Sequence, residues 1–129
     1  MNSLEHINVT VSEPHATAEL LCALFDWQVR WSGKAQSGGN TVHVGQPGDG
    51  ASYLALYAPP EQPQLRERDS VQSGNLNHIA IVVDDLDDVE QRAKSVGLRP
   101  FNHGDYHPGR RFYLMLNSDL EAEVVTYQP

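Results

Sequence analysis

The chain contains the sequence NHIAIVV at residues 77–83 and a near copy of it, EHINVTV, at residues 5–11. Each copy is a short β-branched run with a histidine near its start, and such runs are typical of β-strands. A helix-like segment follows each copy. A chain of 129 residues that repeats itself once is expected to consist of two packed copies of one supersecondary unit. The matched histidines, His6 and His78, therefore indicate a shared site.

The first half predicts one helix among four strands. Ser12 and Pro14 are start signals for the helix, and residues 20–25 supply its apolar stripe before it ends at residues 25–27. The pattern of apolar runs and glycine-rich turns predicts strands at four places, which are residues 6–11, 28–32, 41–44 and 52–57.

The second half repeats this order. A strand is predicted at residues 77–83, and Asp84 and Asp85 offer an N-cap for a helix that runs through Val96 and stops at Gly97. The apolar positions of one helical face are Leu86, Val89, Ala93 and Val96. Three further strands are predicted, at residues 99–103, 111–117 and 121–127, with a tight turn at Ser118 and Asp119.

The predicted fold is therefore α+β, with two βαβββ modules in one chain. Module 1 covers about residues 1–58, a proline-rich linker covers 59–75, and module 2 covers about 76–129, all within a single domain. Each module is expected to form a twisted, mostly antiparallel sheet with its helix outside. The two open sheet faces would then line a groove.

Composition excludes several classes of partner. The net charge is −8, and the nine basic residues form no run longer than Arg110-Arg111, which disfavours nucleic acid and anionic membranes as partners. No apolar stretch approaches the roughly 20 residues of a membrane span, and the N-terminus lacks a secretory pattern, so a cytoplasmic location is expected. Cys22 is the only cysteine, and its apolar surroundings indicate a buried, inert thiol.

Strand parity indicates where a site would lie. If Ile7, Val9 and Val11 pack under the first helix, His6 and Asn8 face the groove, and the same parity places His78 in the groove. Glu123 lies in the middle of an apolar strand, where a carboxylate is costly unless it is paired or bound to a cation. Two imidazoles and one carboxylate suit a divalent transition metal. The alternative is that the histidines hydrogen-bond to each other, to water or to Glu123.

These residues resemble the vicinal oxygen chelate superfamily, which includes glyoxalase I, bleomycin-resistance proteins, fosfomycin-resistance transferases and type I extradiol dioxygenases. The resemblance spans the chain and rests on residues 5–11, 77–87, 111–114 and 123–125. It implies that His6, His78 and Glu123 are the ligands of one divalent metal, which is Fe, Mn, Ni or Zn. It also implies a homodimer, in which the three ligands come from one chain or from two.

The resemblance further implies a metal-dependent lyase, transferase or dioxygenase that acts on a small oxygen-chelating substrate. Glyoxalase I itself is not expected, because Ala55 stands where that enzyme has a carboxylate ligand and base. The alternative is a metal-free protein that binds a small molecule in an aromatic groove, as bleomycin-resistance members do.

Six further residues are candidates for catalysis or substrate binding. Tyr113 lies ten residues before Glu123 and matches an acid/base tyrosine of extradiol enzymes, although a packed strand tyrosine is the alternative. His103 and His107 are interpreted as loop residues that gate the substrate or simply face solvent. Parity allows at most one of Arg110 and Arg111 to point inward. The predicted substrate-binding residues are Asn8, Tyr57, His103, His107 and Arg111.

Overall fold

A computed structural model describes residues 2–63 and 70–128 of the chain. The chain divides into two compact units, Met1–Leu65 and Arg66–Pro129. Part of the predicted linker, residues 64–69, lies outside the described residues. Each unit holds one helix and one four-stranded sheet, so the predicted α+β fold of two βαβββ modules is confirmed.

The N-terminal unit begins with β1 (His6–Thr10) and α1 (Pro14–Phe25). The strands β2 (Gln28–Lys34), β3 (Asn40–Gly45) and β4 (Tyr53–Ala58) follow, and the sheet order is β1-β4-β3-β2. The β1–β4 pair is parallel and the other two pairs are antiparallel. The sheet is therefore mostly antiparallel, as predicted.

Helix α1 covers the centre of this sheet and leaves its first strand at the edge. Pro14 occupies the first turn, where its missing N–H costs nothing, and Asp26 ends the helix in the left-handed conformation. The helix packs against β2, β3 and β4. Val11 is buried beside them, but Ile7 on the edge strand is 36% exposed. By register Ile7 pairs with the buried Leu54, so it lies on the expected face of the sheet and is only partly covered.

The C-terminal unit follows the same order. It consists of β5 (Ile79–Val82), α2 (Leu86–Ser95), β6 (Phe101–Tyr106), β7 (Gly109–Leu116) and β8 (Leu120–Thr126). The sheet order is β5-β8-β7-β6, with β5 parallel to β8 and the other pairs antiparallel. Strand β5 begins one residue after His78, and β6 lies two to three residues beyond its predicted position.

Helix α2 ends where the sequence predicts. Asp85 accepts a hydrogen bond from the backbone N–H of Asp88 at 3.0 Å, and the predicted stop, Gly97, adopts φ +86°. The N–H groups of Gly97 and Leu98 donate to the carbonyls of Lys94 and Ala93, which is the Schellman arrangement. Val96 is the C-cap and is 44% exposed, so its predicted place in the apolar stripe is wrong.

One face of each sheet forms the core of its unit. In the C-terminal unit the fully buried side chains of β7 and β8 alternate along the strands, as a half-covered sheet requires; they are Phe112, Leu114, Leu116, Ala122 and Val124. The intervening residues therefore point to the opposite face. Among the described residues, no helix is long and apolar enough to span a membrane.

Candidate metal centre

Glu123 lies at the centre of the open face of the C-terminal sheet. The strand register places Ala80 of β5 and Tyr113 of β7 on either side of it, while Val125 pairs with Arg111. These residues share one face because they alternate with the buried side chains of the core. Glu123 is nevertheless only 8% exposed, so its carboxylate needs partners.

Three side chains provide these partners. The Nε2 atom of His78 lies 3.0 Å from Oε1 of Glu123, and Nη1 of Arg111 donates to Oε2 at 2.9 Å. The Tyr113 hydroxyl also donates to this carboxylate. The expectation that a buried Glu123 must be paired is met by residues of its own unit.

The two ring nitrogens of His78 both face oxygen acceptors. Nδ1 lies 2.7 Å from Oδ1 of Asn77, the residue immediately before it. A neutral imidazole has a single N–H to donate. If Nδ1–H donates to Asn77, the Nε2 lone pair faces Oε1 of Glu123, and in the other tautomer Nε2–H donates to that oxygen.

The distance between Nε2 of His78 and Oε1 of Glu123 is 3.0 Å, the length of a hydrogen bond. Imidazole and carboxylate are also the side chains that Fe, Mn, Ni and Zn share as ligands, so the chemistry of this pair fits two positions of a divalent metal site.

Tyr113 lies beside this pair as a proton donor. Burial raises the pKa of its phenol, and the negative charge and hydrogen bond of Glu123 raise it further. The phenol therefore stays protonated at neutral pH. Its ring stands edge-on to the His78 imidazole, at 5.6 Å between centroids. Tyr113 is a half-buried strand residue whose hydroxyl contacts Glu123, and its role in catalysis stays a prediction.

The N-terminal unit holds its own histidine in a matching way. Nδ1 of His6 lies 2.8 Å from Oε1 of Glu5, which also accepts from the Tyr53 hydroxyl at 3.3 Å. The hydrogen bond to His6, followed by that to Tyr53, lowers the pKa of the Glu5 carboxyl. An imidazole that donates Nδ1–H to an oxygen presents the Nε2 lone pair, as metal-binding histidines do.

The sequence-based predictions do not include a feature that the two histidines share. Glu5 and Asn77 each precede a candidate ligand by one residue, and each provides a side-chain oxygen to its Nδ1. The signal was available in the repeat, because both copies place an oxygen-bearing side chain immediately before the histidine.

An aromatic cluster surrounds His6 in its own sheet. The rings of His6 and His43 stack on Tyr53, at 5.0 and 4.8 Å between centroids, and Trp31 packs against His43 at 5.2 Å. Burial lowers the pKa of His43 and the nearby His6 lowers it further. The register places Ala55 between Asn8 and His43, as Glu123 lies between Ala80 and Tyr113. The N-terminal sheet therefore has no carboxylate at the position of Glu123.

The other predicted substrate-binding residues are spread over both units. Asn8 and Tyr57 lie on the His6 face by register, and the Tyr57 hydroxyl is 2.8 Å from that of Ser37. Arg111 contacts Glu123, whereas Arg110 contacts Asp87 at 3.6 Å, so the two neighbouring arginines have different partners.

The two remaining histidines lie elsewhere in the C-terminal unit. His103 is part of β6 and bonds to Glu90 of α2 at 2.7 Å, on the face that the helix covers. Its interpretation as a loop residue is wrong, because a bulged stretch of β6 pairs with β7 there. His107 is an exposed turn residue.

The structure brings together His78, Glu123, Tyr113 and Arg111, all in the C-terminal unit. His6 belongs to the N-terminal unit. Within residues 2–63 and 70–128, neither unit by itself gathers three His, Cys, Asp or Glu side chains that could hold a metal ion. Cys22 is half-buried, and burial raises the pKa of its thiol, so it is poorly suited to be a nucleophile.

Comparisons with known proteins agree with this architecture. A family model described as "Glyoxalase/Bleomycin resistance protein/Dioxygenase superfamily" matches residues 5–114. No curated protein sequence matches the chain significantly.

Solved structures of similar fold cover nearly the whole chain. A glyoxylase/bleomycin resistance protein/dioxygenase domain from Frankia sp. EAN1pec has a TM-score of 0.79 at 16% identity, covering 98% of both chains. A mutant of the fosfomycin resistance protein FosX from Listeria monocytogenes, complexed with Mn(II) and 1S,2S-dihydroxypropylphosphonic acid, has a TM-score of 0.73 at 20% identity, covering 96% of this chain and 91% of its own. The trypanothione-dependent glyoxalase I of Leishmania major has a TM-score of 0.79 at 12% identity, covering 98% and 88%. At these identities the likeness concerns the fold alone.

Proposed function

Since the chain belongs to the Glyoxalase/Bleomycin resistance protein/Dioxygenase superfamily, we propose that it is a metal-dependent enzyme of the vicinal oxygen chelate type. Its substrate is a small molecule with two neighbouring oxygen atoms, and its reaction is that of a lyase, transferase or dioxygenase. The ligands of one divalent cation (Fe, Mn, Ni or Zn) are His78 and Glu123 together with His6. The observation that carries the proposal is the 3.0 Å contact between His78 Nε2 and Glu123 Oε1.

Three further observations support this proposal. Imidazole and carboxylate are the ligands that these metals share. His6 and His78 are both held through Nδ1 by the preceding side chain, which orients Nε2 toward a ligand role. A protein of the same fold, FosX, has been solved with Mn(II). A homodimer that supplies His6 from one chain and the other ligands from a second is part of the proposal.

When bound, the cation would act as a Lewis acid on the two substrate oxygens and stabilise negative charge that develops there. Tyr113 keeps its proton at neutral pH and is therefore placed to donate it to such an oxygen. Ala55 offers no base, which sets this chain apart from glyoxalase I. Asn8, Tyr57 and Arg111 remain the proposed substrate contacts, with His107 at the periphery. His103 is left out because it bonds to Glu90.

The metal content of purified variants tests the proposal. We expect about one equivalent of divalent metal per chain in the wild type, and well below half of that in His78→Ala and His6→Ala, because each loses a ligand. Elemental analysis of untagged protein dialysed against Mn(II), Ni(II) or Zn(II) measures it. His103→Ala is the matched control, since this histidine bonds to Glu90 on the helix-covered face. Equal metal content in all four proteins would rule the proposal out.

The hydrogen bond between His78 Nδ1 and the Asn77 side-chain oxygen gives a second prediction. Asn77→Ala removes the acceptor of Nδ1 and frees the ring to rotate, so we expect metal affinity to fall about 10- to 100-fold. Isothermal titration calorimetry at constant pH measures this change. The conservative variant Asn77→Asp keeps an oxygen acceptor and should retain most of the affinity. Loss of affinity in both variants alike would contradict a role in orienting His78.

One observation favours a second function. Arg111 already balances the charge of Glu123, so this face needs no metal to be stable. The alternative is therefore a metal-free protein that binds a small molecule against the aromatic side chains. That function predicts unchanged ligand binding in His78→Ala and in the presence of a chelator.

A further inference from the structure

Arg111 reaches Glu123 from a diagonal position of the sheet. It pairs with Val125, two residues beyond Glu123 on β8, and diagonal neighbours on one face lie within reach of a long side chain. The side chains of Arg111 and Glu123 are only 15% and 11% exposed. A charged pair with so little exposure is weakly screened by salt, so its effect on any nearby cation is strong.

The Tyr106 ring of β6 contacts the guanidinium of Arg111. The guanidinium carbon lies 4.7 Å from the centroid of the Tyr106 ring, which favours a cation over its face. The ring fits because Gly104 stands opposite Arg111, where a Cβ would come within 2.8 Å of the Tyr106 ring and 3.5 Å of Arg111 Cγ.

The guanidinium holds Glu123 through a single nitrogen. Nη1 makes the 2.9 Å contact, while Nε is buried and, within the described part of the chain, has no hydrogen-bond partner. A bidentate arginine–carboxylate pair uses two parallel hydrogen bonds and is stronger. The Arg111–Glu123 pair therefore neutralises the carboxylate without the strongest available geometry.

We propose that Arg111 is an internal cation that competes with the divalent metal for Glu123 and so sets the affinity of the site. The inference rests on the proposed function. Without metal, Arg111 supplies the positive charge that a buried carboxylate requires. When a divalent cation binds Oε1, its charge lies close to that of Arg111 across one carboxylate, and their repulsion weakens binding. Metal binding by this chain is accordingly weaker and more readily reversible than its ligand set alone would give.

Substitution of Arg111 tests the competition directly. In Arg111→Met, which keeps the length of the side chain but not its charge, we expect Mn(II) to bind about tenfold more tightly or better than in the wild type. Calorimetric titration of the chelator-treated full chain with MnCl₂ measures the affinity. Arg110→Met is the matched control, because it removes the same charge from the neighbouring residue, which contacts Asp87 instead. Its affinity should stay within about twofold of the wild type.

A second variant keeps the test decisive if Arg111→Met folds poorly. Tyr106 is 60% exposed, so Tyr106→Ala should fold, and loss of its ring loosens Arg111 and raises Mn(II) affinity several-fold. Unchanged or weaker binding in both variants would overturn the inference and make Arg111 a positioning residue for Glu123. Failure of the proposed function would give a different result, because His78→Ala would then bind Mn(II) as tightly as the wild type does.

Discussion

In Glu123→Ala, the free energy of unfolding should fall by about 3 kcal/mol, even without metal, because the substitution leaves Arg111 largely buried without its counter-charge. His78 and Tyr113 lose their shared acceptor in the same step. The same variant should bind no measurable metal. Urea unfolding in the presence of a chelator, followed by circular dichroism, separates the stability effect from the metal effect.

Two controls identify the cause of this loss. Glu90→Ala removes a glutamate whose ion pairs with His103 and Lys94 lie at the surface, and it should cost less than about 1 kcal/mol. The double variant Arg111→Met with Glu123→Ala removes both charges and should recover most of the stability, since no uncompensated charge then remains. A loss equal to that of Glu90→Ala, or no recovery in the double variant, would show that the pair is not what the fold depends on.

Periodicity predicted the faces of the strands but not their partners. The alternation around Ile79 and Ile81 correctly separates the buried side of β5 from the side of Ala80. Which strand lies beside β5 depends on pairings between residues more than 40 positions apart, and no local pattern encodes them. The bounds of β6 were wrong for a related reason. Residues 102–105 carry no apolar alternation, and their place in the sheet follows from backbone pairing with β7 around a bulge.

Part of the candidate site was predictable, because a buried charge needs a partner. A carboxylate in the middle of an apolar strand had to be paired, which pointed to Glu123, while the repeated segment pointed to His78. It did not lead to Arg111, because a diagonal contact depends on register. The hydrogen bonds of Glu5 and Asn77 to the histidines are local, and closer comparison of the two copies would have suggested them.

The two units share one sheet topology and differ in the chemistry of its open face. His6 is the first residue of β1 and His78 immediately precedes β5, but Ala55 takes the position of Glu123 and His43 that of Tyr113. The N-terminal face is therefore a stack of rings, and the C-terminal face carries a carboxylate with three polar partners.

A second large loss of stability is expected for a substitution in the core beneath the C-terminal site. Phe112 is fully buried on β7, next to Tyr113 but on the opposite face, where it pairs with Val124. In Phe112→Ala we expect the free energy of unfolding to fall by about 3–5 kcal/mol, because the ring leaves a cavity in a closely packed layer. Small domains are stable by only about 5–15 kcal/mol, so this variant would lose a large part of its free energy of unfolding.

Phe101→Ala is the matched control for this prediction. Phe101 is the same residue type in the adjacent strand, but it is 38% exposed and contacts Tyr113 on the open face. Its loss should cost about 1 kcal/mol or less, because little buried area disappears. Thermal and urea unfolding of both variants would measure the difference. Equal losses in the two variants would contradict the prediction. They would mean that the helix-covered face contributes no more to the stability of the C-terminal unit than the open face does.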